Sequence, residues 1–167
     1  MPTRELLQDP NPILDKSSKL IDICSIDMPY ITSVIDDMWS YIKACFNNVE
    51  YTSMAAPQIG ESIQLILIKY NNELIPLLNP TVTKTSIKMM KSSEYCASIA
   101  FGTVPFTVYR HKIVNVSAYK LNGEVVNYRA RDFLGIMLQH EIDHLHGILI
   151  NMHPSVGMGA QHGENID

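Results

Sequence analysis

Ile31, Val34, Ile35, Met38, Trp39, Ile42, Cys45 and Phe46 recur at steps of three and four. That spacing predicts an amphipathic helix from Pro29 to about Phe46, its apolar stripe turned to a core. On this reading Cys45 is a core residue, and Cys24 is taken to be similar. Gln64 to Tyr70, Leu74 to Leu78 and Thr81 to Ile87 read as short strands, separated by Asn71-Asn72 and Asn79-Pro80. Lys112 to Lys120 and Glu124 to Arg129 form a hairpin around Asn122-Gly123, the strongest turn pair in the chain. A second helix is expected at about Arg131 to Gly147. Phe133, Leu134, Met137, Leu138, Leu145, Ile148 and Leu149 make it apolar on most sides, as in a helix running through a core. The sum is an α+β fold, mostly antiparallel strands around a buried helix with an amphipathic helix toward the amino end. Residues 1–151 read as a single domain. Residues 152–167, rich in Gly, Pro and polar residues without periodicity, read as a flexible tail.

Composition narrows the setting. The 167 residues are 46% hydrophobic and 18% charged, which suits one compact soluble domain. A formal charge of −4 gives no reason to expect nucleic-acid binding. Ile63 to Ile68 is apolar but far too short to span a membrane, and Met1-Pro2-Thr3-Arg4-Glu5 lacks a signal-peptide pattern. Three cysteines give an odd count and no disulfide framework. A reducing compartment is the simplest expectation, a bacterial-type cytoplasm or an organelle.

The chemistry lies in the second helix. Gln139-His140-Glu141-Ile142-Asp143-His144-Leu145-His146-Gly147 contains HExxH. On a helix, His140 and His144 share a face one turn apart and can grip one divalent ion. Glu141, rotated from that face, can reach water on the ion without being a ligand. Three fixed positions can coincide by chance, but a buried helix carries two histidines and a glutamate only if something satisfies them. A metal does so; a structural hydrogen-bond network is the alternative. Asp143 either supports a ligand or lies on the solvated side, and His146 points elsewhere. The zinc-protease pattern HExxHxxGxxH would place a third histidine at 150, where this chain has Ile150, so that class is disfavoured. The third ligand must come from Cys96, His111, His153 or a carboxylate. Cys96 lies in Ser92-Ser93-Glu94-Tyr95-Cys96-Ala97-Ser98, and its alternative is a buried free thiol. A third segment, Ser53-Met54-Ala55-Ala56-Pro57-Gln58-Ile59-Gly60, permits close backbone approach and offers the Gln58 amide.

Taken in order, these segments resemble the peptide deformylase motifs GxGLAAPQIG, EGCLS and QHExDHLxG, and Asp9-Pro10-Asn11-Pro12-Ile13-Leu14 is similar to the family's opening. The resemblance runs to about Asn151. It implies a metallohydrolase that removes the N-formyl group from the methionine of new polypeptides and releases formate. Cys96, His140 and His144 would hold one divalent ion, iron(II) physiologically, with zinc, nickel or cobalt also suited. Glu141 would be general base and then general acid, and Gln58 with the backbone N–H of Ala97 would receive the oxyanion. Arg110 would pair with Glu94, although Arg129 and Arg131 compete for that role. The partners implied are N-formylmethionyl nascent chains. The helix that docks some members on the ribosome is not seen after Asn151, so ribosome association by that route is not expected.

The chain departs from the motifs where they touch substrate. The two glycines of the first become Tyr51 and Ser53, and EGCLS becomes Glu94-Tyr95-Cys96-Ala97-Ser98. In the helix, Asp132 and Gly135 stand where the family has other small residues. Tyr95 either narrows the approach to the metal or turns outward. These changes leave open a fold member acting on other N-acyl substrates, or a non-catalytic metal-binding module. Retention of Glu141 and Gln58 speaks against the last, since a closed structural site needs neither.

Overall fold

A computed structural model describes residues 2–46, 49–71 and 73–154. Helix α1 spans Met28–Phe46. Asp27 starts it: its carboxylate accepts from Tyr30 N (3.1 Å) and its carbonyl from Ile31 N (2.9 Å). Strand β1 (Thr52–Ala55) runs into a 3-10 turn, Ala56–Ile59, and is followed by β2 (Leu65–Tyr70) and β3 (Glu73–Thr85). Strands β4 (Met89–Glu94) and β5 (Phe106–His111) come next, then β6 (Ile113–Tyr119), β7 (Val125–Arg131) and helix α2 (Asp132–Leu145). A last 3-10 turn covers Ile150–Met152. The α+β class and the antiparallel pairing are as the sequence predicts.

Five strands form one antiparallel sheet in the order β1-β2-β3-β6-β7, and β4 pairs with β5 in a separate ribbon. The large sheet is covered on both faces, which accounts for the unbroken apolar run of β2. Leu65 and Leu67 pack with Ile31, Val34, Met38 and Ile42 of α1. Ile66 and Ile68, on the opposite face, pack with Met137, Leu138, Ile142 and Leu145 of α2. Gly135 lets α2 lie close to the sheet: a Cβ there would sit 3.3 Å from the Ala130 carbonyl.

Four expectations need correction. Leu74 to Leu78 and Thr81 to Thr85 are one strand, because Asn79-Pro80 makes a register shift rather than a turn, and that strand stops short of Ile87. Pro80 withholds an N–H from the ladder, and the Asn79 side chain bonds both Ile21 N (2.9 Å) and Ile21 O (2.8 Å), tying the amino-terminal segment to the strand. Cys45 is exposed because burial of the α1 stripe ends at Ile42. Cys24, in a loop, is exposed too. Phe133 and Ile148 are also exposed, so α2 is buried along much of its surface but not at its ends. Of the tail expected over 152–167, residues 155–167 lie outside the described residues. Met152 completes the last turn, and His153 bonds back to α2.

Candidate metal centre

Helix α2 presents His140 and His144 one turn apart, their ring centroids 5.0 Å from each other. Cys96 follows directly on the β4–β5 ribbon and enters from the other side, its Sγ 3.3 Å from His144 Nε2. The ligand atoms of Cys96, His140 and His144 all lie within 4.8 Å of one another, and all three residues are buried. Tetrahedral coordination with metal–sulfur and metal–nitrogen bonds of ordinary length would separate sulfur from nitrogen by about 3.5 Å. The donor set and its spacing therefore fit a divalent ion. The other histidines proposed from sequence are engaged elsewhere. His111 Nδ1 meets Ser86 O at 2.7 Å, and His153 Nε2 meets Asp143 Oδ2 at 2.9 Å. His146 Nδ1 meets Ile142 O at 2.8 Å.

Charged groups behind His140 hold it in place, whereas the buried Nδ1 of His144 has no partner among the described residues. Arg110 donates twice to Glu94, from Nε to Oε1 and from Nη2 to Oε2, both at 2.9 Å, and its Nη1 reaches Asp143. Glu94 Oε2 also accepts from His140 Nδ1 at 2.9 Å. Because an ionised carboxylate only accepts, Nδ1 carries the proton and Nε2 is the atom left to face the centre. Burial alone would raise the Glu94 carboxyl; the hydrogen bonds from His140 and Arg110 and their charges outweigh it and hold the group at about 2. His144 is pushed well below the usual histidine range, by burial first and then by the charges of His140 and Arg110. Burial acts the same way on His140, but the contacts with Cys96 and Glu94 prevail and lift it to about 10. Gln139 anchors the helix to β5, bonding His111 N (2.9 Å) and His111 O (3.0 Å).

The centre opens into a cavity of about 430 Å³ lined by β1 and the turn after it, β4 and the residues that follow, and α2, among them Ser53, Gln58, Tyr95, Phe133, His140 and Glu141. Glu141 is buried, and burial raises its carboxyl above the usual range. Its Oε1 accepts from Ser53 Oγ at 2.7 Å, whereas its Oε2 has no partner among the described residues. Gln58 is oriented by Ala55 N, which donates to its Oε1 at 2.9 Å; its Nε2 thereby points toward Ser98 Oγ (3.3 Å) and Cys96 Sγ (3.9 Å). Ala97 also lines the cavity, and its carbonyl accepts from Gln8 Nε2 at 2.8 Å. Tyr95 is 57% exposed, turned out at the rim rather than across the centre. Tyr51 stacks on Phe133, centroids 5.9 Å apart and planes 3° from parallel, forming an aromatic wall. The structure thus brings together Cys96, His140, His144, Glu141, Gln58 and Ala97. Sequence reasoning missed the contacts of Ser53 with Glu141 and of His153 with Asp143. The one available sign for Ser53 was a side chain where the motif has none.

The polypeptide deformylase family matches residues 3–156. Among curated relatives, a peptide deformylase of Dictyoglomus thermophilum is 35% identical over 147 residues, 88% of this chain and 90% of the relative. One from Syntrophomonas wolfei is 34% identical over 149 residues, 89% and 91% of the two chains. Among solved structures, a peptide deformylase from Synechococcus elongatus in complex with actinonin superposes with a TM-score of 0.79 at 29% identity, over 90% of this chain and 78% of that one. The Met-Ala-Ser-bound enzyme from Acinetobacter baumannii gives 0.80 at 24% identity over 92% and 100%, a likeness of fold.

Proposed function

The chain belongs to the polypeptide deformylase family, and from that membership we propose that it hydrolyses the formyl amide at the amino end of new polypeptides, with residues 1–151 as the catalytic unit. The observation that carries the reading is the convergence of Cys96, His140 and His144 on one point, beside a cavity that His140 and Glu141 line. Cys96, His140 and His144 would hold a divalent ion, iron(II) in the cell, with zinc, nickel or cobalt also suited to a thiolate and two imidazoles. When bound, such an ion acidifies water and polarises a carbonyl oxygen.

The remaining steps fall to the chain. Glu141 accepts the proton of the attacking water through Oε2, the oxygen without a protein partner, and returns it to the amine nitrogen as the C–N bond breaks. Its raised pKa, a consequence of burial, suits both halves of that exchange. Charge gathering on the formyl oxygen is met by Gln58 Nε2, held in orientation by Ala55 N, and by the Ala97 N–H. Formate and the free amine leave. Arg110 and Glu94 keep His140 turned so that its proton stays on Nδ1.

The cavity also suits an extended peptide. Among the described residues, strand β1 pairs with β2 alone and β4 with β5 alone, so each keeps one edge unpaired, and residues of both line the cavity. A chain laid between them can bond its backbone on either side, with an apolar first side chain in the cavity. N-formylmethionyl chains are the substrates this favours. No helix among the described residues is long and apolar enough to cross a membrane. A cytoplasmic setting belongs to the same proposal because new polypeptides are its substrates.

Formate release from formyl-Met-Ala-Ser by anaerobically prepared, iron-loaded protein tests the assignment, beside Cys96→Ala and Glu141→Ala. Turnover in the wild type and its loss in both variants is the expected result. A wild type that binds one ion per chain and releases no formate overturns it.

A further inference from the structure

We infer that Ser53 is a positioning residue for Glu141, a role resting on the reading of Glu141 as proton carrier. Ser53 Oγ donates to Glu141 Oε1 at 2.7 Å. The serine is fixed by the sheet: β1 is registered on β2 with Ser53 opposite Ile68, and the neighbouring Met54 and Ala55 are fully packed. Glu141 is fixed by α2 at its Cα, but its terminal torsion is broad and roughly two-fold, so the helix does not choose which oxygen faces the cavity. The hydrogen bond makes that choice. It occupies Oε1 and leaves Oε2, buried and without a protein partner, as the free acceptor.

No other described side chain bonds this carboxylate. Glu94, His140 and Arg110 are the charged groups near it, and their mutual hydrogen bonds leave them unable to fix its rotation. A glycine or alanine at position 53 would offer no donor, whereas a threonine would. Ser53 thus spans the cavity's two walls, the edge strand and the helix, and sets the proton-transfer geometry.

Two measurements on metal-loaded protein test this. In the first, Ser53→Ala lowers kcat for formyl-Met-Ala-Ser by about tenfold, the typical weight of a hydrogen bond to a charged acceptor, with KM and bound metal within about twofold; Ser53→Thr recovers most of the loss. The second reads binding instead of turnover. Acetohydroxamic acid has an acidic N–O–H proton that Glu141 would accept, so Ser53→Ala weakens its Kd severalfold in the wild-type background and leaves it unchanged in a Glu141→Ala background. Ser53→Ala within twofold of wild type in kcat and Kd overturns the role, as does an equal Kd change in both backgrounds. A wild type that binds acetohydroxamic acid but releases no formate defeats the proposed function alone, and the binding cycle still decides the part played by Ser53.

Discussion

Replacing Arg110 with methionine keeps an unbranched apolar stem and removes the guanidinium. The side chains of Arg110 and Glu94 are 4% and 6% exposed, so the substitution strands a carboxylate that water cannot reach, bonded thereafter only by His140. Breaking a buried pair in this way costs about 3–5 kcal/mol, out of a total stability on the order of 5–15 kcal/mol. With a urea dependence of about 2 kcal/mol per molar, the denaturation midpoint of the metal-free protein should fall by about 2 M. Arg131→Met is the control. Arg131 lies 3.8 Å from Asp132 with both side chains more than 70% exposed, and its removal should cost no more than about 0.5 kcal/mol. The difference should also depend on pH. In the wild type Glu94 sits at about 2, below its unfolded value, so the pair's stabilisation is complete above the unfolded value and disappears as pH falls through about 2. In the variant, burial is opposed by His140 alone, so the same carboxyl moves up from its wild-type value, protonates earlier and gains relative stability on acidification. The gap between the two proteins should therefore be widest near pH 7 and narrow toward pH 3. Equal midpoints for the two arginine variants, or a gap indifferent to pH, would refute the reasoning.

Metal uptake should release protons. His140 is raised to about 10 in the metal-free site, so an ion arriving at pH 7 must displace its proton, and affinity should fall as pH is lowered. Titration calorimetry with zinc in two buffers of different ionisation heat measures the release; identical heats would count against it. Gly147→Ala should cost about 3 kcal/mol or more: φ is +73°, and a Cβ would lie 2.6 Å from the Asp15 carbonyl carbon and 2.7 Å from Lys16 N, both backbone. Thermal unfolding should show a drop of roughly 10 °C, and an unchanged midpoint would mean that the close approach is not real.

The parts of this molecule legible in the sequence are those where burial sets the period. Both helices and the β6–β7 hairpin carry their apolar period openly, and β2 is legible as an unbroken apolar run. Strands β4 and β5 were missed because the inward residues of the ribbon are not apolar throughout: Ser92, Glu94 and Arg110 are buried, and a period of two written in polar residues does not read as a strand. The same residues were partly legible by another route, since the motif around Cys96 suggested that Glu94 and Arg110 pair. Cys45 was misplaced because periodicity gives the direction of a helical face but not where its cover ends. Ser53 was visible only as a departure from a motif; its partner lies 88 positions away, and no local pattern carries such a distance.

The two unpaired edges beside the cavity also restrict when a substrate can be read. A strand already paired in a folded protein brings neighbours with it, and these would collide with the wall opposite. A lone chain end has its N–H and C=O groups free for both walls at once. In the life of a polypeptide that condition holds early, before the first residues find partners of their own. On the proposed binding mode the same two edges that hold a substrate also time its capture: they admit an amino terminus while it is unfolded and shut it out once it is paired.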